Sequence, residues 1–436
     1  MSLPYLKEFG WAATVLAVEP AGIEGATMDP LLESTLPRDV PIYRFGSVRS
    51  AVTRMLGLGN LAMRSLPYLW RAGNRLLSGQ LRAPSWKLQA PPFDLVYFST
   101  TQFPVMILGF VWKKKFNVPY VVDFQDPWLD DYYERTATEP PGGKLRYRAS
   151  RFLASRLEPR VMRDVAEIIS VSPSYVDTLH DRYPHLRTDQ FTVLPFGAPE
   201  KDFEMLQSLD VQQHVFDPAD GKQHWIYAGA VGKIMETALQ LLFGAIQERR
   251  IREPNAWRDV RLHFIGTSYA PGGRAKKTVE PIAAACGVAD IVQEQTSRRP
   301  YFEMLRALTE ADALLVIGSD SPSYSASKLY PYILAKRPML SILHRDSPAV
   351  DILRRCRAGE IVTFDPARLD ESRSAMSEAL KMLKEKVESR KAKVIEGEDQ
   401  TDVDWDEFQQ YTAREMTRRQ CEVFDRAVGG KVESRK

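Results

Sequence analysis

Two lysines that each follow a strand-like run are the residues best placed to do chemistry. Lys233 ends a glycine-containing turn after the run Trp225–Gly229, and Lys328 follows Ser327 further along the chain. Glycine lets backbone amides approach an anion closely, so glycine with a nearby lysine is typical of phosphate binding. The segment is not a Walker loop, because that motif needs a glycine where Tyr227 stands. The alternative interpretation is an ordinary tight turn between a strand and a helix.

A second strand-like run, Val260–Gly266, also ends at a glycine. Downstream, Ser325 or Ser327 is suited to cap a helix, which would place Lys328 in the first turn, where unpaired backbone amides also attract an anion. The alternative there is an ordinary cap with a solvated lysine. Two such places in one half of the chain, both at the carboxyl ends of strands, favour phosphate binding.

The first half of the chain offers carboxylates instead. Asp126, in the segment Asp123–Trp128, is either a functional carboxylate or the first residue of a turn before Pro127, and the sequence favours neither. Asp404 and Asp406 have the DxD spacing of metal-dependent sugar transferases, but they precede the last helix, which favours capping. The histidines show no metal-ligand spacing, so no metal site is expected.

Short apolar runs that alternate with helical stretches must position these residues. Strands are predicted at Ala13–Val18, Pro41–Phe45, Asp94–Ser99, Tyr120–Phe124, Glu167–Ser172, Phe191–Leu194, Trp225–Ala228, Val260–Gly266, Asp290–Glu294, Ala313–Ile317, Pro338–Leu343 and Ile361–Phe364. Helical candidates include 48–79, 103–116 and 143–165. This alternation predicts an α/β protein with parallel sheets, whose ligands bind at the carboxyl ends of the strands.

The alternation breaks at Pro195–Pro199, where proline and glycine cluster. We therefore expect two Rossmann-like lobes facing a central cleft, 1–197 and 222–400, with a linker over 198–221. A closing helix and tail over 401–436 end the chain.

Composition sets the class of protein. The 436 residues are 44% hydrophobic and 26% charged, with a net charge of +3 and three cysteines, as in an ordinary globular protein of a reducing compartment. The longest apolar run, Phe103–Trp112, is far below the roughly 18 residues that a membrane span needs. Without a secretory signal, a cytoplasmic location is expected.

The stretch 40–93 contains no acid between Val40 and Phe93 and interleaves arginines with Trp70 and leucines. Such a basic amphipathic segment favours an anionic membrane surface and a peripheral position on the inner face of the membrane. The alternative is a helix that packs on the core with solvated arginines. Nucleic acid is not an expected partner, because no nucleic-acid-binding motif accompanies the charge.

Several segments, in order, resemble a glycosyltransferase of the GT-B fold, family 4 type. Tyr227–Gly229 with Lys233 is similar to the first strand and glycine loop of that family's donor lobe, and Ser327–Leu340 is similar to its donor-site segment. The other similar segments are His263–Gly266, Leu157 with Glu158, Ala166–Ser172 and Leu194–Gly197. The resemblance covers nearly the whole chain.

The resemblance implies transfer of a sugar from a nucleoside-diphosphate sugar to a glycan or lipid-linked acceptor, usually with retention of configuration. The donor-binding residues that it implies are Gly229, Lys233, Gly266, Ser327 and Lys328. Lys328 would also be catalytic, because a cation beside the diphosphate stabilises the leaving nucleotide without an obligatory metal. Asp126 would be the catalytic group facing the acceptor. No cofactor besides the donor substrate is expected.

Three departures from the family pattern keep other interpretations open. Pro331 stands where the family usually has an acid that binds the donor ribose, and Asp126 belongs to a segment where the family often has His-Asp. The first strand and its glycine-rich loop are missing, which suggests that Met1 is a late start. A glycosyltransferase-like binding or scaffold protein without catalysis is therefore the alternative, and an epimerase acting on nucleotide sugars is a weaker one.

Overall fold

The computed structural model describes residues 1–23, 28–49, 60–80, 93–129, 134, 140, 143–268, 270, 275–322, 324, 326–396 and 402–429. The chain divides into two compact units. Unit 1 comprises Met1–Met28, Thr35–Pro195 and Met416–Lys436, and unit 2 comprises Asp29–Ser34 and Phe196–Glu415. Helix α1 (Pro30–Ser34) therefore belongs to unit 2.

Unit 1 contains a parallel sheet in the order β3-β4-β5-β6 and a separate parallel pair, β1-β2. The strands are β1 (Val15–Val18), β2 (Ile42–Phe45), β3 (Val96–Ser99), β4 (Tyr120–Phe124), β5 (Glu167–Ser170) and β6 (Phe191–Val193). The helices of this unit up to β6 are α2 (Leu61–Leu77), α3 (Ile107–Phe116), α4 (Lys144–Arg163) and α5 (Pro173–Arg182).

Both faces of the unit 1 sheet are covered, which parallel strands with continuous apolar sequence require. Tyr120, Val122 and Ile168 pack in one cluster with residues of α2, α3 and α4. On the other face, Val121 and Ile169 pack against the carboxyl-terminal helix of the chain. All five residues of β4 are buried as a result.

Unit 2 contains a parallel sheet in the order β12-β11-β10-β7-β8-β9. Its strands are β7 (Gln223–Ala228), β8 (Val260–Ile265), β9 (Val292–Gln295), β10 (Ala313–Ile317), β11 (Met339–His344) and β12 (Glu360–Phe364). Its further helices are α6 (Glu200–Ser208), α7 (Glu236–Arg252), α8 (Pro254–Trp257), α9 (Val279–Ala285), α10 (Tyr301–Glu310), α11 (Leu329–Leu334), α12 (Pro348–Arg355), α13 (Asp370–Glu396) and α14 (Trp405–Phe408). Helix α15 (Ala413–Ala427) follows, and its residues from Met416 onward belong to unit 1.

Each predicted strand is present and ends within two residues of the predicted bounds. The helix predicted over 48–79 is α2, Leu61–Leu77, and residues 50–59 lie outside the described residues. The segment predicted as a linker, 198–221, contains α6, and Arg306 of α10 donates to backbone carbonyls of Leu206, Leu209 and Val211. These hydrogen bonds hold the segment on unit 2.

Asp404 accepts a hydrogen bond from the backbone amide of Glu407 and caps α14. Helix capping, the predicted alternative to a metal-binding DxD motif at this point, is therefore confirmed. Among the described residues, no helix combines the length and apolar character needed to cross a bilayer.

Candidate functional site

The candidate site lies in unit 2 at the point where the strand order reverses. From β7 the chain proceeds outward to β8 and β9, and then returns to the other side of β7 as β10. Because both connections leave the carboxyl ends of these strands in opposite directions, a crevice opens between them, and parallel α/β sheets bind ligands at such a point. The turn after β7 and the segment between β10 and α11 both start at this edge.

The structure places Lys328 at the N-cap of α11 and not in its first turn. Ser327 is exposed, no side chain caps this helix, and Ser325 lies outside the described residues. The prediction of a serine cap with Lys328 inside the helix is therefore wrong for Ser327. The helix has only six residues, so its amino terminus is too short to supply an anion site, and any positive charge here comes from side chains.

The Lys328 ammonium group is held by Tyr227 at the end of β7. Its Nζ donates to Tyr227 Oη over 2.9 Å and lies 4.8 Å from the centre of the tyrosine ring. The Tyr227 hydroxyl donates in turn to the Ala230 carbonyl over 3.0 Å. A cation over an aromatic face is attracted by the ring's quadrupole, so Tyr227 orients Lys328 without neutralising its charge.

A second tyrosine attaches α11 to the same strand end. The Tyr332 hydroxyl accepts a hydrogen bond from the Ala228 amide over 2.6 Å, and Tyr332 is 2% exposed. Because Lys328 and Tyr332 are four residues apart, this contact fixes the turn that carries the lysine against β7. The position of Lys328 therefore depends on packing between α11 and β7.

Residue 229 must be a glycine because the side chain of Lys328 fills the space that a Cβ atom would need. Its φ is +147°, and a Cβ atom added there would lie 1.9 Å from both Cε and Nζ of Lys328. The amides of Gly229 and Val231 donate to the carbonyls of Ile265 and Thr267, over 2.7 and 2.9 Å. The turn therefore contributes space for the lysine, while these two amides hold β7 to the segment after β8.

Arg298 is a second cation of this site, and the sequence analysis did not identify it. It follows β9, and its Cγ lies 3.5 Å from the position that a Cβ on Gly266 would occupy. Burial, and after it the charge of Arg298, lower the pKa of Lys328 to about 8. Gly266 has φ +70°, which places the turn after β8 beside this arginine. The signal in the sequence was a basic residue just past a predicted strand.

Lys233 occupies a different environment from Lys328. It is exposed in a short 3-10 turn that follows Gly232, and its side chain makes no hydrogen bond or ion pair with the described residues. The structure brings Lys328, Tyr227 and Gly229 together with Arg298, and no hydrogen bond joins the Lys233 side chain to any of these four residues. The predicted role of Lys233 at a diphosphate stays a prediction.

The amino terminus of α9 already holds an anion of the protein. The buried carboxylate of Glu294 accepts hydrogen bonds from the amides of Val279 and Glu280, over 2.9 and 3.0 Å, and from the Thr267 hydroxyl over 2.6 Å. This carboxylate satisfies the amides that a phosphate would otherwise use. The anion-binding capacity of this edge therefore rests on Lys328 and Arg298.

In unit 1, Asp126 lies in the turn that follows β4. The turn is anchored on one side by Asp123, whose carboxylate accepts hydrogen bonds from Tyr97 Oη and Gln125 Nε2, both over 2.9 Å. On its other side, Trp128 stacks on Phe103 with ring centres 5.7 Å apart. Asp126 itself is exposed between these anchors, and partial desolvation raises the pKa of its carboxyl group. The Asp126 carboxylate is therefore available to a ligand, whereas the Asp123 carboxylate is already hydrogen-bonded to other side chains of the protein.

Residues 4–197 match the family described as Glycosyl transferase 4-like domain. This part of the chain is therefore similar to glycosyl transferase 4-like domains. It contains Asp126 and the turn that presents it, and it ends before the cations of unit 2. No curated protein sequence matches the chain.

Solved structures extend the assignment of the fold beyond residues 4–197. HepE from Anabaena, in complex with UDP-glucose, matches with a TM-score of 0.52 and 13% identity over 94% of this chain and 99% of that chain. A UDP-forming trehalose-phosphate synthase from Burkholderia xenovorans matches with a TM-score of 0.54 and 12% identity over 95% and 98%. A glycosyltransferase from Rickettsia africae matches with a TM-score of 0.53 and 11% identity over 96% and 100%. The predicted GT-B fold of two Rossmann-like lobes is confirmed.

Proposed function

We propose that the protein transfers a sugar from a nucleoside-diphosphate sugar, with UDP as the nucleotide, onto a hydroxyl group of a glycan or lipid-linked acceptor. The observation that carries this proposal is the pair of cations, Lys328 and Arg298, at the reversal of strand order in unit 2. A diphosphate matches two adjacent positive charges in both charge and size. The bound ligand of HepE, UDP-glucose, supports UDP as the first nucleotide to test.

In the proposed reaction the bond between the anomeric carbon and the diphosphate oxygen breaks, and negative charge develops on the departing diphosphate. Lys328, oriented by Tyr227, and Arg298 stabilise this charge, which lowers the barrier because both cations are in place before the bond breaks. A new bond forms between the anomeric carbon and the acceptor oxygen, and the proton of the acceptor hydroxyl passes to the departing diphosphate oxygen. Asp126 accepts a hydrogen bond from that hydroxyl group and orients it.

The cations of the chain take the role that a metal ion has in other sugar transferases, so we propose that transfer needs no metal or other cofactor. Chelation with EDTA is expected to leave the transfer rate unchanged. Loss of activity on chelation, with recovery on addition of Mg²⁺ or Mn²⁺, would contradict this part of the proposal.

Calorimetry with UDP tests the donor site. Lys328→Ala is expected to weaken UDP binding by roughly tenfold to a hundredfold, since a hydrogen bond to a charged group contributes about 1.5–3 kcal/mol. Lys381→Ala, on the exposed face of α13, removes the same charge from the same unit and serves as the matched control. Equal UDP affinity in both variants would refute the assignment of Lys328.

Transfer itself is tested with UDP-sugars and a panel of glycan and lipid-linked acceptors. We propose retention of the anomeric configuration, which proton NMR of the first-formed product reports directly. An inverted product would leave the donor site in place and overturn the retaining mechanism.

Pro331 favours a second candidate, a glycosyltransferase-like protein that binds a nucleotide without transferring a sugar. It lies in α11 three residues after Lys328, where the family resemblance places an acid for the donor ribose. UDP binding without donor hydrolysis or transfer to any acceptor would favour this candidate. Pro331→Glu is then expected to increase affinity for UDP more than affinity for inorganic pyrophosphate, because only UDP carries a ribose.

A position on the inner, cytoplasmic face of a membrane, with contact through 40–93, belongs to the same proposal. Only part of that stretch is described. In α2, Leu69, Leu76 and Leu77 are buried in the core of unit 1, so the apolar side of this helix serves packing. Its arginines Arg71 and Arg75 are exposed.

A further inference from the structure

Three neighbouring helices of unit 1 carry a strong excess of positive charge. Lysine and arginine number three in α2, where Arg64 is buried, three in α3 and seven in α4, while these helices contain one acid, Glu158. That acid is fully buried and bonded to Arg182 and Tyr183, so it does not offset the surface charge. The whole chain has a net charge of only +3, so this excess is local.

The three helices lie side by side, since α3 contacts both α2 and α4. Their surface also exposes large apolar side chains. Phe152 of α4 is 62% exposed, Leu145 is 84% exposed, and Trp70 of α2 is 41% exposed. Large apolar side chains such as these are normally buried, so their exposure next to lysines and arginines indicates an interaction surface.

Cations lie near the rings both within single helices and between neighbouring helices. Lys115 of α3 lies 6.0 Å from the centre of the Trp70 ring, and Arg156 lies 5.0 Å from that of Phe152. Lys114 and Arg163 approach the ring of Phe110 from two helices, at 4.3 and 5.7 Å. We call Trp70, Lys114, Lys115, Phe152, Arg156 and Arg163 the basic–aromatic face.

We propose that the basic–aromatic face binds the surface of an anionic lipid bilayer. Lysine and arginine side chains are attracted to acidic headgroups, while tryptophan and phenylalanine rings enter the boundary between headgroups and acyl chains. A polyanion such as nucleic acid would match the charge alone, and it would leave Phe152 and Leu145 without an apolar environment. The surface extends over α3 and α4, beyond the stretch 40–93.

Sedimentation with vesicles tests the proposal without any donor or acceptor, so its outcome is independent of the proposed transferase activity. The full-length protein is expected to bind vesicles of phosphatidylcholine and phosphatidylglycerol at a ratio of about 7:3, and not vesicles of phosphatidylcholine alone. Binding is expected to weaken as the salt concentration rises, because the attraction is screened.

Arg156→Ala with Arg163→Ala is expected to weaken binding roughly 25-fold, since each basic residue near an anionic surface contributes about fivefold. Lys114→Ala with Lys115→Ala on α3 is expected to have a similar effect, and it tests the face without altering α4. Phe152→Ser, which keeps every charge, is expected to weaken binding roughly tenfold because it removes an inserted ring.

Arg373→Ala with Lys381→Ala is the matched control, because both residues are exposed on α13 of unit 2 and the change in charge is the same. This control is expected to bind as the wild type does. Equal losses in the control and in the α4 variant would refute a specific face. Binding of the wild type to a random oligonucleotide but not to anionic vesicles would overturn the proposal of bilayer binding and assign the basic–aromatic face to nucleic acid.

Discussion

Replacing Gly229 by alanine tests the donor site most sharply, because the structure shows which atoms of Lys328 the added methyl group would meet. The new Cβ would lie 1.9 Å from Cε and Nζ of Lys328 and 2.9 Å from its Cδ. Non-bonded carbon atoms pack at about 3.5–4.0 Å, so the end of the lysine must move by about 1.5–2 Å. That movement takes Nζ out of hydrogen-bonding distance of Tyr227.

Two effects follow from this displacement. The stability of the protein is expected to fall by about 1–3 kcal/mol, since φ of +147° is unfavourable for alanine. UDP affinity is expected to fall by roughly tenfold to a hundredfold, which corresponds to a hydrogen bond of about 1.5–3 kcal/mol to a charged group. Thermal unfolding measures the first effect and calorimetry with UDP measures the second.

Gly232→Ala is the matched control in the same turn. Gly232 has φ of −100°, and an added Cβ would meet Ile234 Cγ1 at an ordinary contact distance of 3.7 Å. Stability and UDP affinity are expected to stay close to those of the wild type.

A double-mutant cycle separates steric displacement of Lys328 from other causes. In a Lys328→Ala background the atoms that obstruct the new methyl group are absent, so Gly229→Ala is expected to cost no further UDP affinity. An additive loss would refute the interpretation that Gly229 acts through Lys328. Unchanged UDP affinity in the single variant, with lowered stability, would show that Lys328 does not hold the diphosphate from this position.

Four further outcomes are expected. The pKa of Lys328 is lowered to about 8, so UDP affinity should fall as the pH rises above about 8, where the ammonium loses its proton, and Lys328→Arg should remove this dependence. Arg298→Ala should weaken UDP binding and move the pH midpoint upward, because the arginine helps to lower the pKa of Lys328; an unchanged midpoint would contradict the coupling. Asp126→Asn should lower kcat while the Kd for UDP stays unchanged, since Asp126 lies in unit 1 and the cations of the donor site lie in unit 2; a larger Kd for UDP would place Asp126 at the donor site. Tyr332→Phe should lower stability by about 1–3 kcal/mol, measured by denaturant unfolding, because the half-buried Ala228 amide loses its acceptor; an unchanged midpoint would show that another group satisfies this amide.

Lys328 also determines in which direction the stability of the protein changes with pH. Its pKa is lowered from 10.5 to about 8 in the folded protein, so the unfolded chain binds more protons between these values. The contribution of Lys328 to the free energy of unfolding therefore increases as the pH rises from about 8 to 10.5. As the pH rises over this range, the contribution of Lys328 to the free energy of unfolding is expected to increase while the UDP affinity is expected to fall. The two measurements therefore distinguish the two effects of this lysine.

Much of the fold could be predicted because its signals are local. Continuous apolar runs such as Tyr120–Phe124 and Ala313–Ile317 form buried parallel strands at the predicted positions. Asp404 caps α14, as an aspartate directly before a helix predicts. In such cases the residues that decide the structure lie within a few positions of one another.

The candidate site was predicted in part. Lys328, Gly229 and Gly266 stand out in the sequence as a lysine and two glycines that follow strands, and the structure places them at one edge of the unit 2 sheet. Their roles were not predictable, because a steric contact between Gly229 and Lys328 joins residues almost a hundred positions apart. The same holds for the leucines of α2, which pack on the core while Arg71 and Arg75 are exposed.

The sequence by itself determined the class of fold, the positions of the strands and the presence of a lysine at a strand end, since these depend on composition and periodicity along the chain. Only the tertiary structure decided that Arg298 lies close enough to lower the pKa of Lys328 and that Tyr227 holds the Lys328 ammonium group. It also decided that lysines and aromatic rings from α2, α3 and α4 form one face. The physical reason is that strand order and helix packing bring distant segments together, and both charge coupling and steric exclusion act across a few ångströms of space.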